Sequence, residues 1–152
     1  MVKSIFNQIF LYLSIFLLIT LEFFCAKLAF ETIGEVDSSA YFILVALNTI
    51  SLALLLLNKQ KQLAISFIIL IGLIIIPYQL YLGNKLIHLK EEAANITTYL
   101  YEQKINSGAY PIDLSGYTFS FPNLQKHFNY SRVSANTFQI NYYVGTDTTS
   151  HF

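Results

Sequence analysis

The stretch LAISFIILIGLIIIPYQLYLGNKLIHLKEEAANITTYLYEQKINSG, residues 63–108, holds two kinds of helix in one run. From Leu63 to Leu82 it is apolar on every side, and about 20 such residues cross ~30 Å of hydrocarbon as a helix. Polar residues enter after Leu82, yet the helical period persists, because Leu86, Leu89, Ala93, Ile96, Leu100 and Gln103 recur at spacings of three and four. Lys85, Lys90, Glu91, Glu92, Thr98 and Glu102 are read as the solvated face. A span at 63–82 therefore continues as an amphipathic stem at 83–106, ~44 residues and about 66 Å in one helix. Pro77 removes an N–H from the ladder and predicts a kink, with Gly83-Asn84 a second weak point. Gly108 supplies the C-terminal stop.

Downstream of that stop the period changes to two. Gly116 to Phe121 alternates, Pro122 interrupts, and Phe128-x-Tyr130-x-Arg132 and Phe138-x-Ile140-x-Tyr142-x-Val144 alternate again. Turns fall at Ser134-Ala135-Asn136 and Gly145-Thr146-Asp147, so residues 116–152 read as an antiparallel meander of three to four strands. The stem's apolar stripe needs a cover, and the sheet provides it: Leu89, Ile96 and Leu100 are expected to pack on Phe119, Phe138 and Ile140. A small α+β domain thus follows the third apolar helix.

Upstream, residues 1–62 hold two further apolar runs, at about 5–26 and 40–57, joined by short loops. Phe24-Cys25-Ala26 lacks a small-x-small cleavage pattern, so the first run is read as retained. Lys3 precedes it, and Asn58-Lys59-Gln60-Lys61-Gln62 joins the second run to the third with two lysines and no acid. Positive charge stays on the cytoplasmic side. The first loop carries Lys27 against Glu31, Glu35 and Asp37 and suits the outer face. Three transmembrane helices with a cytoplasmic N-terminus leave the C-terminal domain outside.

The composition agrees with a membrane protein. Apolar residues make up 55% of the chain and charged residues 12%, with Lys+Arg and Asp+Glu both 9. No basic patch or run exists, which excludes nucleic acid as a partner, and the lipid bilayer is the first partner implied.

Polar groups inside the spans are few. Asn48 and Glu22 are read as interhelical polar contacts, Asn48 with Thr20 or Ser14 as partner and Glu22 about one turn from the outer helix end, within reach of the headgroups. His88, Glu91 and Glu92 lie together on the stem, where a solvated face laced with Lys85 and Lys90 explains them better than a metal site. Asp113, Ser115, His127 and Ser131 are the right types for nucleophilic catalysis but share no motif. No enzyme activity, cofactor or metal is expected. The chain contains 11 tyrosines, concentrated after Leu82, and these suit a half-buried small sheet.

Ile74-Ile75-Ile76-Pro77-Tyr78-Gln79-Leu80-Tyr81, the amphipathic helix after it, and Ser107-Gly108-Ala109-Tyr110-Pro111 resemble the type IV pilins and type II secretion pseudopilins. The resemblance covers about residues 63–152. It implies a proline-kinked helix, a turn carried by Gly108, Tyr110 and Pro111, an antiparallel sheet over the helix, and a place in the bacterial inner membrane with the sheet domain periplasmic or extracellular. It does not extend to the prepilin cleavage signal, since Lys61 to Phe67 contains neither the Gly nor the Glu of that signal and two apolar runs precede it. A structural or protein-interaction component of the cell envelope, partnered by other envelope membrane proteins, is the expected function. The alternative is a ligand-binding or sensing accessory subunit of a transporter or signalling complex, and a concave pocket with convergent polar groups would favour it.

Overall fold

The structure is a computed structural model that describes residues 2–31, 34–56, 61–145 and 148–151. Asn58, Lys59 and Gln60 of the second loop, and Thr146 and Asp147 of the last turn, lie outside the described residues. The chain is mostly helical, and its long apolar helices precede a small antiparallel sheet.

Helix α1 runs Val2–Glu31, longer at both ends than the apolar run at 5–26. Lys27 and Glu31, read as part of a loop, continue the helix because no Gly or Pro precedes Gly34, whose φ is +69°. Helix α2, Ser38–Leu56, starts at a capping residue: Asp37 Oδ1 accepts the Ala40 N–H at 2.9 Å. Helix α3 (Lys61–Leu70), a π-helical turn (Ile71–Ile75) and helix α4 (Ile76–Ser107) follow one another without a gap. The disturbance expected at Pro77 takes the form of that π turn, in which the Ile76 N–H bonds to Ile71 O, five residues back. Pro77 has no N–H to give and its ring crowds the preceding turn, so one widened turn just before it accommodates both effects. Gly83-Asn84 does not interrupt α4. The helix stops where expected, with Gly108 at φ +81° and its N–H bonded to Lys104 O at 2.8 Å.

Among the described residues, two stretches are long and apolar enough to cross a membrane, Tyr12–Glu31 and Ala64–Ser107, and α2 contributes a shorter apolar stretch, Ser38–Ile50. Only 28% and 22% of their most apolar parts are buried, whereas the core helix of a soluble protein is mostly buried.

The chain divides into two compact units, Met1–Ala29 with Val36–Leu82, and Phe30–Glu35 with Gly83–Phe152. On the long helix the two units meet at Leu82–Gly83, and within the first unit α2 and α3 pack together. In the first unit Phe67, Ile71 and Ile75 bury against Ile15, Leu18, Ile19 and Phe23.

In the second unit a coil from Gly108 leads to a 3-10 helix, Pro122–His127, and then to strands β1 (Phe128–Ser134), β2 (Thr137–Tyr143) and β3 (Thr148–His151) in the order β1-β2-β3, all antiparallel. Residues 116–121, expected as the first strand, are not a strand. Their alternation is real, but the Ser120 and Phe121 N–H groups go to a side-chain carboxylate instead of a neighbouring strand. The core lies between α4 and β2 in two adjoining clusters. Leu86, Leu89 and Ala93 pack with Tyr142 and Val144, while Ile96 and Leu100 pack with Tyr110, Phe138 and Ile140, flanked by half-buried Phe119.

Candidate functional site

Glu92 ties the stem helix to the coil before the 3-10 helix in the second unit. It lies three residues after Leu89 and four before Ile96, on the apolar stripe rather than on the solvated face, and it is fully buried. Its Oε1 accepts the Tyr117 hydroxyl at 2.7 Å and the Ser120 N–H at 3.2 Å, and its Oε2 accepts the Phe121 N–H at 3.0 Å. A buried carboxylate is tolerated when such donors replace its water. Burial, and then the hydrogen bond and charge of Glu92, raise the Tyr117 hydroxyl well above its ordinary value. The spacing on the stripe was the sequence signal for this residue, and the lysines around it masked that signal.

His88 does not join Glu92 as a ligand. It stacks on Phe121 with ring centroids 4.1 Å apart and 12° between planes. Among the described residues no group of three or more His, Cys, Asp and Glu side chains is placed to hold a metal.

The turn after α4 is tied to the sheet through its backbone. Tyr110 is buried, its N–H bonds to Ala135 O at 3.1 Å, and its carbonyl accepts from Arg132 Nη1 at 3.0 Å. The Tyr130 hydroxyl donates to Pro111 O at 2.6 Å. Gly108, by its positive φ, lets the chain turn from α4 toward these contacts.

Phe30–Glu35, from the end of α1 into the α1–α2 connection, belongs to this same unit. Phe30 packs on the Leu86–Leu89–Tyr142 cluster, Glu31 pairs with Lys85 at 2.9 Å and Glu35 with Lys90 at 3.7 Å. Gly145 lies against Glu31 so closely that an added Cβ would stand 2.5 Å from Glu31 Cβ and 2.9 Å from its carbonyl oxygen. The acids of the first loop are thus engaged: two in ion pairs, and Asp37 in the cap of α2.

In the first unit Asn48 pairs with Gln79 on α4 through both amides, at 3.1 and 3.4 Å. The Thr20 hydroxyl donates to Phe16 O of its own helix. Glu22 is fully buried instead of reaching outward, because α1 continues past it to Glu31, and neither of its carboxyl oxygens has a hydrogen-bond partner among the described residues. Cys25 is buried with a free thiol.

The second unit carries an open groove of about 890 Å³ between the 113–119 coil, the 3-10 helix and edge strand β1. Phe119, Phe128 and Tyr130 supply its apolar side, and Asp113, Asn123 and Lys126 are among its polar groups. Hydrogen bonds from Ser115 hold the Asp113 carboxyl below the usual carboxylate range. In comparisons with protein-family models, curated proteins and solved structures, the chain has no match.

Proposed function

We propose that this chain is a membrane-anchored structural and protein-interaction component of the bacterial cell envelope, with three spans and a non-catalytic, pilin-like outer domain. One observation carries the topology. Phe30–Glu35, between α1 and α2, lies in one compact unit with Gly83–Phe152, which supports a shared side of the bilayer for the first loop and the C-terminal domain. Lys59 and Lys61 belong on the opposite, cytoplasmic side by the positive-inside rule. Large apolar side chains left exposed on each helix, such as Phe16 on α1, Phe42 on α2 and Leu73 in the π turn, support lipid contact for all three, since water-soluble surfaces rarely carry such patches. The long helix with a sheet over its outer half supports the pilin-like reading.

Reporter fusions after Gln60 and after Ser107 test this directly. They are expected to report opposite sides of the membrane, and one shared side overturns the topology. Crosslinking in native membranes is expected to recover envelope proteins bound to the outer domain. The groove beside β1 favours a second reading, a ligand-binding accessory subunit of a transporter or signalling complex. Recovery of a transporter or kinase in the same experiment supports it.

A further inference from the structure

We propose that the groove beside β1 binds a neutral saccharide chain, laid on the Phe119, Phe128 and Tyr130 rings and hydrogen-bonded along its rim by Asp113, Asn123 and Lys126. This deepens the ligand-binding reading and rests on it.

The chemistry of the lining carries the choice. A sugar ring has apolar C–H faces and hydroxyl edges, so it needs aromatic surface beneath and mixed donors and acceptors at the side. The groove offers both in its lining: three aromatic residues, and a carboxylate, an amide and an ammonium. The two charges, Asp113 and Lys126, are opposite and leave no net attraction for an anion. A nucleic acid would need a cationic track, which this lining does not have. A volume of about 890 Å³ lies at the upper end of the ~300–1,000 Å³ typical of small-molecule sites, and an open groove suits a chain that runs through it more than an enclosed molecule.

The lining is also held in place before any ligand arrives. The Tyr130 ring is fixed by its hydroxyl on Pro111 O at 2.6 Å. Phe119 and Phe128 brace each other at 6.0 Å between centroids. Asp113 is oriented by the Ser115 N–H, which its Oδ1 accepts at 2.9 Å. Preorganised contacts of this kind reduce the ordering cost of binding.

The test uses the full chain in lipid nanodiscs free of glycoside detergent, with chitotetraose, cellotetraose and maltotetraose as probes and tetra-alanine as a peptide control. Saturation-transfer NMR is expected to show at least one sugar binding with a dissociation constant on the order of 1 mM or tighter. Saturation should be strongest on the protons of one ring face. Asn123→Ala should weaken binding about tenfold, and Asn123→Trp, which fills the groove from an exposed position, should abolish it while circular dichroism stays unchanged. Silence of all three sugars up to about 10 mM overturns the proposal, as does binding that neither variant alters. Binding of tetra-alanine with the sugars silent also overturns it, in favour of peptide addition to the β1 edge, and leaves the ligand-binding reading standing. That reading is judged separately, by the proteins crosslinked in native membranes.

Discussion

The Glu92 carboxylate on α4 accepts the Tyr117 hydroxyl at 2.7 Å from 25 residues further along the chain, and with it holds a segment that has no strand of its own. Removing the carboxylate leaves its donors unmatched, which costs more than the bonds themselves contribute, whereas removing the Tyr117 hydroxyl leaves Glu92 its two backbone donors. Glu92→Ala strands two backbone N–H groups and the Tyr117 hydroxyl, and is expected to destabilise the outer unit by about 3–5 kcal/mol. Tyr117→Phe removes one bond to a charged acceptor and should cost about 1.5–3 kcal/mol. Thermal unfolding in nanodiscs measures both. A Tyr117→Phe loss equal to that of Glu92→Ala would mean that the backbone bonds of Ser120 and Phe121 contribute nothing.

Gly145 and Glu31 make a second long-range tie, closed by backbone proximity. Gly145→Val would place Cβ 2.5 Å from Glu31 Cβ and against the Glu31 carbonyl, neither of which can move without displacing the end of α1. The expected cost is about 1–3 kcal/mol, typical of overpacking. Hydrogen exchange should show faster exchange in 28–31 and 142–144. Unchanged exchange in the first of these segments would show that the α1–α2 connection is not held against the sheet.

The parts of this fold that were legible in the sequence are those set by short-range periodicity. Leu86, Leu89, Ala93, Ile96 and Leu100 repeat at three and four and are all buried, and Gly108 stops the helix where the stripe ends. The illegible parts depend on partners far along the chain. The alternation over 116–121 looks like a strand, and only a carboxylate on a distant helix reveals that its N–H groups are used elsewhere. Glu31 reads as a loop acid because nothing local shows that Lys85, 54 residues away, neutralises it. Asn48 announces an interhelical bond but not which of several amides and hydroxyls will face it, and the answer is Gln79. For the groove, each residue type was visible, yet only the path of the coil brings Asp113, Asn123 and Lys126 around the same aromatic wall.

His127 is expected to make the second unit sensitive to mild acid. Burial, then the nearby positive charge of Lys85, depress its imidazole below the ordinary value, while its Nδ1 lies 3.1 Å from Tyr143 O. A base with a depressed folded value binds fewer protons folded than unfolded, so its contribution to stability is present above the unfolded value, near 6.5, and is lost as pH falls through the folded one. Melting of the outer unit is therefore expected to move to lower temperature as pH drops below about 6.5. His127→Gln should flatten that dependence. A stability that rises over the same interval would reverse the sign and show that the imidazole is favoured as the cation.

Ile96 tests whether the helix and the sheet are one folding unit. It is fully buried between Leu100, Phe138 and Ile140, in a domain with no disulfide among the described residues, whose core rests on one helix face and one sheet. Domains of this size rarely exceed ~3–5 kcal/mol of stability from a single core. Ile96→Asp places an unpaired charge under the sheet, at a cost comparable with that whole margin, and is expected to unfold the domain. Ile96→Val, which removes one methylene for about 0.5–1.5 kcal/mol, should leave it folded. Limited proteolysis of native membranes separates the two, with cleavage after Gly108 fast in the first variant and slow in the second. Equal resistance in Ile96→Asp and the parent would show that the sheet stands without the helix, and the pilin-like arrangement of a stem under its own sheet would fall with it.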